Sequence, residues 1–208
     1  MVDKSAHRPR GRPRGFDPDE ALDRAIPVFW RLGYEGADLE TLSEAMGVGK
    51  PSIYAAFGDK EALFLQTMDR YAATVGCRPL QALADAPDIA SGVAAAFAAT
   101  LHNVSGAGGA RGCLAACVAA DSAEAMPTVR GRLAAGLEAT QQAIGACLER
   151  GRARGELPAG FPVQERAAMM TDLMHAMALR ARSGAECGDL RAAADRAVRA
   201  VLAGAEGG

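Results

Sequence analysis

Aromatic residues are scarce in this chain of 208 residues, since Phe, Trp and Tyr together make up only 5% of it. Strands draw on aromatic and β-branched side chains, whereas the residues abundant here, such as Ala, Leu, Glu and Arg, favour helices. The composition therefore argues against a sheet-based fold and predicts an all-α protein.

Long apolar runs are also missing. Half of the residues are hydrophobic, but no run approaches the roughly 20 apolar residues that span a bilayer. The opening MVDKSAHRPRGRPRG is basic but is not followed by the apolar segment of a secretory signal. We expect a soluble, cytoplasmic protein with no membrane partner.

Paired cysteine motifs and catalytic signatures are absent. The five cysteines form no CxxC pair, and their odd number disfavours a disulfide framework. No Gly-x-Ser-x-Gly, phosphate-cradling loop or paired acid/base motif stands out. These absences argue against a zinc finger and against an enzyme, and we expect neither a metal nor a cofactor.

A global cationic excess is the last missing feature, because the net charge is only −2. Positive charge is instead concentrated at the start, where Arg10, Arg12 and Arg14 alternate with proline and glycine. Such a segment cannot bury a core. Residues 1–15 are therefore predicted to form a flexible basic arm.

What the chain does contain is a series of helix signals. Asp17 and Pro18 begin a first helix that runs to about Leu32, with apolar residues at three- and four-residue spacing. Pro27 lies inside this helix and removes one backbone hydrogen bond. We expect a local kink there.

Two short helices follow. Asp38 is placed to cap the first of them, and the second is predicted over 50–57. The turn between them, Gly47-Val48-Gly49, is tight and rich in glycine. Two short helices joined in this way are typical of a helix-turn-helix.

The remaining two thirds of the chain is rich in alanine, and its predicted helices are longer. Asp59 is placed to cap a helix that ends near Cys77. Further helices are predicted over 88–104, 111–124, 126–153, 163–183 and 188–204. The chain thus has about nine helices, divided between a helix-turn-helix domain over 16–60 and a larger helical domain over 61–208.

The segment 33–63, GYEGADLETLSEAMGVGKPSIYAAFGDKEAL, resembles the signature of the TetR (tetracycline-repressor-like) family. That signature consists of Gly-Tyr, a short helix, Gly-Val-x, x-x-[ST]-[IL]-Tyr-x-x-Phe and x-x-Lys-x-x-Leu. The match covers several positions at fixed spacing. The resemblance implies a repressor that binds a palindromic operator as a homodimer and is released by a small-molecule effector.

The resemblance also implies roles for single residues. Lys50, Pro51 and Ser52 are expected to lie nearest the base edges of the major groove. Tyr54 and Lys60 are expected to hold phosphates. From the residues alone, Tyr54 also fits a packing role, and the two lysines fit a solvated one.

Arg10, Arg12 and Arg14 of the arm are expected to add phosphate or minor-groove contacts, whose strength falls with salt. A basic arm without such contacts is the alternative. The chain departs from the family at Asp38, where many members carry a hydroxyl residue, and at Glu40, where some carry a cation. Carboxylates repel phosphate, so we assign no phosphate contact to that helix.

The larger domain offers candidate effector contacts but no specific motif. Methionine adapts to varied shapes, and two cysteines four residues apart can sense electrophiles or oxidants. Core packing explains the same residues. The candidates are Phe97, Leu101, His102, Cys113, Cys117, Met170, Met174 and His175.

The last two predicted helices suggest a dimer interface. Each carries a stripe of small and apolar residues: Ala167, Met170, Leu173, Met174 and Met177 on one helix, and Leu190, Ala194, Ala197, Val198 and Val201 on the other. Paired across a two-fold axis, such stripes form a four-helix interface. The alternative for these stripes is that they belong to the core.

Two alternatives remain for the function of the whole protein. It could be a constitutive or architectural DNA-binding protein without a ligand, or a thiol-based sensor of the same fold.

Overall fold

The computed structural model describes residues 15–106 and 112–205. These residues contain helices and no strand, which confirms the all-α prediction. The first four helices are α1 (Pro18–Gly36), α2 (Leu39–Met46), α3 (Lys50–Phe57) and α4 (Lys60–Tyr71). The later ones are α5 (Arg78–Asp85), α6 (Ile89–Val104), α7 (Ala120–Ser122), α8 (Pro127–Ala153), α9 (Val163–Arg182) and α10 (Cys187–Leu202).

Aspartates begin four of these helices. The carboxylates of Asp17, Asp38, Asp59 and Asp88 each accept a 2.8 Å hydrogen bond from a backbone N–H in the first turn. Such bonds satisfy N–H groups that have no partner within the helix. The three predicted caps at Asp17, Asp38 and Asp59 are confirmed, and Asp88 is a fourth.

The prediction of a kink at Pro27 is wrong. The non-helical dihedrals of α1 occur at Gly33, with φ 73° and ψ 178°. Pro27 has no N–H to donate to the carbonyl oxygen of Asp23, which lies one turn earlier in the helix. Both residues are exposed, so water can donate a hydrogen bond to this carbonyl instead. The positive φ at Gly33 is one that glycine adopts without strain, and the chain turns there instead.

Helix α5 was not expected from the sequence. It is eight residues long and carries Pro79 in its first turn, where proline is favoured, followed by the good helix formers Leu, Gln and Ala. It packs closely on α6 at Gly92, where an added Cβ would lie 2.8 Å from the carbonyl oxygen of Leu83. Local propensity and this tertiary contact both support the helix, and the prediction missed it because Pro79 was taken to follow the end of a helix rather than to begin one.

Two π-helical turns interrupt the helices. One, Ala72–Gly76, continues directly from α4, and the other, Ala115–Ala119, leads into α7. The sequence predicted ordinary helix through both segments. Single π turns often occur at functional sites, because the wider turn changes the direction of backbone groups.

The apolar stripes assigned to a dimer interface face the interior of the chain itself. Ala167, Met170 and Met177 of α9 and Leu190 and Ala194 of α10 are buried. They pack in the larger domain against α6 and α8. The interpretation as an interface is therefore wrong for the buried residues, for which the core alternative is correct. Leu173, Met174 and Val198 of the same stripes are only half-buried, and for them an interface stays a prediction.

The core of the first four helices extends beyond them. Met68 and Tyr71 of α4 share one cluster of buried side chains with Leu114, Val118 and Val129 from the second half of the chain. The helix-turn-helix is therefore packed on the larger domain without a gap in the hydrophobic core. None of the described helices is both long and apolar enough to cross a membrane.

Candidate DNA-binding face and adjoining cavity

Helix α3 is held by one face and exposed on the other. Gly47, in the left-handed conformation at φ 67°, ends α2, and the following Val48 N–H donates to the carbonyl of Ser43 at 3.1 Å. This Schellman-type end reverses the chain into α3. Ile53 and Phe57 then anchor α3 in the core, where both are almost fully buried.

The first turn of α3 presents the residues predicted to read bases. Lys50, Pro51 and Ser52 are consecutive, and the latter two are exposed. Tyr54 is half exposed, at 50%, so its ring does not close a core. An exposed eight-residue helix of this kind has the dimensions to enter a major groove about 12 Å wide.

Lys50 does not stand free. Its ammonium donates a hydrogen bond to the carboxylate of Glu40 on α2. This bond raises the pKa of Lys50 above its ordinary value, so the side chain stays cationic. Glu40, which the sequence analysis treated only as a source of repulsion, therefore holds the cation that is predicted to contact bases.

Lys60 lies at the start of α4 beside the bend in α1. Its ammonium is 4.5 Å from the ring centroid of Tyr34 and 3.4 Å from the carbonyl oxygen of Glu35. Burial is the main cause that raises the pKa of Tyr34, so this ring stays neutral. The predicted contacts of Arg10, Arg12 and Arg14 fall outside the described residues.

An ion-pair clamp joins α1 to α4. Arg70 donates two hydrogen bonds of 2.7 Å to Asp23 and one of 2.8 Å to Asp19. The bond from Arg70 is the main cause that lowers the pKa of Asp23. The sequence analysis did not find this clamp, because 47 residues separate its two ends; the only local signal was the pair of acids four residues apart on α1.

The clamp predicts an acid-sensitive contribution to stability. Because the folded pKa of Asp23 is depressed, the contribution is present above the ordinary aspartate pKa of about 3.9 and is lost as the pH falls below it. Arg70→Met should therefore flatten the loss of unfolding free energy between about pH 5 and pH 2. Urea titrations across this range measure it.

The control for this prediction is Arg191→Met, at an exposed arginine of α10. It should keep the acid-side slope of the wild type. Equal slopes for wild type and Arg70→Met would show that the clamp is too well solvated to stabilise the fold.

Below α4 lies a cavity of about 480 Å³ that is open to solvent along α8, where Ala135, Gly136 and Leu137 are exposed. Its wall comes from α4 and the π turn behind it, from α5 and α6, and from residues 113–115, α8 and α9. Most of the lining side chains are apolar. The polar and ionisable ones are Asp69, Tyr71, Cys77, Thr100, Asn103, Cys113, Arg132, Thr140 and His175.

Three of the predicted effector contacts line this cavity, namely Cys113, Met174 and His175. The other five lie outside its wall. Phe97 and Met170 are fully buried in the core, and Leu101 and Cys117 are half-buried. His102 is exposed on α6.

Two thiols, Cys77 and Cys113, line the cavity, and a third, Cys117, contacts the wall residue Ala178 from outside. The hydroxyl of Tyr71 lies 3.5 Å from Cys113 Sγ, whereas Cys117 Sγ lies 3.7 Å from the carbonyl oxygen of Ala178. Burial raises the pKa of Tyr71 and also that of Cys117. Cys117 therefore stays a neutral thiol at physiological pH and is a poor nucleophile.

Polar contacts connect the helices around the cavity to the DNA-binding half. Arg132 of α8 donates to both carboxylate oxygens of Asp69 on α4, at 2.6 and 2.8 Å. Arg182 of α9 donates to the carbonyl oxygen of Trp30 on α1 at 2.9 Å. These hydrogen bonds join α8 directly to α4, and α9 directly to α1.

Two family models match the chain. Residues 21–67 match the model described as bacterial regulatory proteins, tetR family, and residues 90–201 match that of the tetracyclin repressor-like C-terminal domain. The first match contains the helix-turn-helix. The second covers more than half of the chain and includes most of the cavity wall.

Individual proteins are similar over most of the chain. The HTH-type transcriptional repressor ComR of Escherichia coli (strain K12) is 33% identical over 181 residues, which are 85% of this chain and 84% of ComR. BdcR, another repressor of that strain, is 30% identical over 55% of this chain and 58% of its own. A cysteine mutant of the regulator CifR, solved with a 26-bp double-strand operator DNA, is 36% identical, with a TM-score of 0.81 over 91% of this chain and 99% of CifR.

Proposed function

The chain belongs to the TetR family of transcriptional regulators, and on this premise we propose that it is a repressor that binds a palindromic operator as a homodimer. A small molecule in the cavity releases it from DNA. The observation that carries the proposal is that α4 contributes side chains both to the core of the helix-turn-helix and to the wall of the cavity. Leu63 and Phe64 support the helix-turn-helix, while Met68 and Tyr71 line the cavity.

The DNA contacts follow from the exposed side of α3. Lys50 donates to guanine O6 and N7, Ser52 serves either kind of base, and Pro51 offers an apolar contact to a thymine methyl. Tyr54 and Lys60 hold phosphates on either side of the groove. Glu40 orients Lys50 until the DNA takes over its hydrogen bonds.

A dimer is needed because two recognition helices must reach half-sites about 34–36 Å apart. The support for its location is a strip of apolar side chains along α9, bordered by the exposed Asp172 and Arg180. Leu179 is 63% exposed on this strip, and Ala176 is exposed one turn before it. Met169 and Leu173 continue the strip; they are half-buried, because one side of each packs against the core of the larger domain. We refer to Met169, Leu173, Ala176 and Leu179 as the α9 face.

Release from DNA requires that the effector prefer the conformation that does not bind the operator. Coupling of about 1–3 kcal/mol between two sites is typical. Effector binding shifts Met68 and Tyr71, α4 moves as a lever, and the spacing of the two recognition helices changes. The Arg70 clamp makes α1 follow α4.

The test starts from the purified full-length chain. Selection of bound sequences from a random DNA pool identifies the operator, and fluorescence anisotropy then measures its affinity with and without small molecules. The proposal requires a palindromic consensus bound by two chains and compounds that weaken this complex. A chain that selects no sequence contradicts it.

Specificity is expected to depend on Lys50. Lys50→Ala should weaken operator binding about tenfold or more and relax the preference at one base-pair position. Arg12→Ala, in the basic arm, should instead weaken operator and scrambled DNA alike and lower the dependence on salt. Anisotropy titrations on both DNAs at several salt concentrations measure the two effects.

Glu40→Gln is the matched variant for Lys50, because it keeps the size of the side chain and removes its charge. It should tighten binding to scrambled DNA and so narrow the ratio between operator and scrambled affinities. Equal losses on both DNAs for Lys50→Ala would make Lys50 a phosphate contact only.

A thiol-based sensor is the second candidate, favoured by the position of Cys113 in the cavity wall. N-ethylmaleimide should then release the wild type from the operator and leave Cys113→Ser bound. Cys117→Ser is the control, since the neutral Cys117 should react slowly. Release of Cys113→Ser by the reagent contradicts this candidate.

A further inference from the structure

Resting on the proposed function, we infer that Asn103 is a positioning residue that holds the end of α4 and thereby sets the spacing of operator half-sites that the dimer accepts. Asn103 lies on α6 of the larger domain and acts through the π turn Ala72–Gly76, which leads from α4 towards α5. The support comes from a proline that interrupts the backbone hydrogen bonds of this junction, from the side chains that bond to its carbonyls, and from the burial of one of these contacts.

Pro79 leaves a carbonyl of the junction without its helical partner. The backbone is right-handed helical at Ala72, with φ −58° and ψ −42°, and again at Cys77, with φ −73° and ψ −21°. In a helix that continues from there, the carbonyl oxygen of Val75 accepts from the N–H four residues later. That residue is Pro79, which has no N–H to donate. Within the backbone, the N–H of Cys77, two residues away, takes its place.

Side chains donate to three consecutive carbonyls of the junction. Cys77 and Arg78 each bond to the carbonyl oxygen four residues earlier, at 3.0 and 3.1 Å. Asn103 Nδ2 donates to the next carbonyl, that of Val75, at 2.9 Å. Cys77 and Arg78 belong to the junction itself, whereas Asn103 comes from another helix, 28 residues after Val75. Of these three donors, Asn103 is therefore the one that fixes the junction relative to the larger domain.

Polar contacts between α4 and α8 are more open to water. Asp69 and Arg132 are both about half exposed, so water and salt compete with their ion pair, and the bond from Thr128 to Glu61 is also exposed. The bond of Asn103 is neutral and partly buried. Apolar burial along α4 is not directional, whereas a hydrogen bond weakens steeply when its angle changes. The bond of Asn103 thus restrains the angle of α4 in a way that solvent weakens less.

The angle of α4 determines where the recognition helix lies. Gln66 of α4 donates to the carbonyl oxygen of Phe57, the last residue of α3, at 2.9 Å, so α3 follows α4. In the proposed dimer, a fixed angle in each chain presents one spacing to the two half-sites. Without the bond of Asn103, each α4 adopts a range of angles. The correctly spaced operator then loses affinity, and operators with altered spacing lose less.

Operators with altered centres test the inference on the full-length chain. The operator identified by selection is made with its natural centre, with one base pair removed and with one base pair inserted, and a single half-site is the reference. Each base pair changes the separation of the half-sites by about 3.4 Å and their rotation by about 35°. Fluorescence anisotropy at one salt concentration measures the four affinities.

Asn103→Leu removes the donor and keeps the approximate size of the side chain. We expect it to weaken binding to the natural operator about fivefold or more, and to narrow the ratio between natural and altered spacing by a similar factor. Its affinity for the single half-site should equal that of the wild type, because one recognition helix suffices there. Gln81→Leu, the same type of change at an exposed position of α5, is the control and should behave as the wild type.

Pro79→Ala supplies a rescue that general destabilisation would not show. Alanine at position 79 gives the carbonyl of Val75 the N–H that proline lacks. The double variant Asn103→Leu/Pro79→Ala should therefore regain the spacing preference lost in Asn103→Leu. Amide hydrogen exchange without DNA should be faster at Ala72–Gly76 in Asn103→Leu than in the wild type, and slower again in the double variant. Thermal melting shows whether each variant is folded, and Asn103→Ala repeats the test if leucine is not tolerated.

Three results overturn the inference and leave the proposed function intact. They are an unchanged spacing preference in the folded Asn103 variants, an equal loss of affinity on the operator and on the half-site, and a double variant without rescue. A wild-type chain that binds no operator overturns the proposed function and the spacing role together. Hydrogen exchange then separates the two failures, because it shows without DNA whether Asn103 holds the junction.

Discussion

Leu179→Arg is expected to convert the dimer to a monomer and to lower operator affinity by about 100-fold or more. A single chain presents one recognition helix, so the second half-site no longer adds to the affinity, and losses of 10²–10⁴ are typical when two linked contacts become independent. Leu179 is suited to this test because it is 63% exposed in the single chain and makes no part of its core. The arginine should therefore leave each chain folded.

Sedimentation measurements give the oligomeric state, and anisotropy on one and two half-sites gives the affinity. Ala84→Arg is the control, because Ala84 is exposed on α5, away from the α9 face. It should remain a dimer with wild-type affinity. A dimeric Leu179→Arg variant with unchanged operator affinity would rule out the α9 face as the interface.

Phe64→Ala is expected to lower the free energy of unfolding by about 3–5 kcal/mol, the range for truncating a buried aromatic side chain. Phe64 is fully buried at the centre of the N-terminal core. Its ring centroid lies 4.9 Å from that of Phe29 and 5.2 Å from that of Tyr34, so the truncation removes two aromatic contacts and leaves a void. Since whole domains are stable by only about 5–15 kcal/mol, DNA binding should be largely lost at 37 °C.

Urea unfolding followed by circular dichroism measures this loss. Leu32→Ala is the control, because Leu32 is 41% exposed on α1, and we expect a change of less than about 1 kcal/mol. A Phe64→Ala variant as stable as Leu32→Ala would show that the core collapses around the void.

The elements that could be predicted are those specified by neighbouring residues. Asp38 caps α2, Gly47 ends it, and Ile53 and Phe57 are spaced to anchor α3, so the helix-turn-helix follows from local pattern. Helix α5 was missed although its residues favour a helix, because Pro79 is equally compatible with the end of the preceding helix. Its close packing on Gly92 of α6 could not be predicted, since it depends on the fold as a whole.

The candidate sites show the same division. Lys50, Pro51 and Ser52 were found because the family signature fixes their positions, but the ion pair with Glu40 required the angle between two helices. In the cavity, sequence indicated Cys113, Met174 and His175 as candidates but not Asn103, whose hydrogen bond to the carbonyl oxygen of Val75 joins α6 to the π turn after α4. Periodicity could not tell which side of α9 and α10 faces the core, because apolar residues occur on both.

The continuous core between the two halves limits how this regulator can be re-engineered. A chimaera that grafts residues 1–60 onto the effector domain of a relative cuts through a single cluster of buried side chains. The grafted segment would meet the relative's residues in place of Leu114, Val118 and Val129. Such a graft should transfer operator preference only if these positions, together with Tyr71, are carried over or matched in size. A biosensor built by exchanging domains should therefore exchange the whole set of contacting side chains, not simply all residues before a chosen position in the sequence.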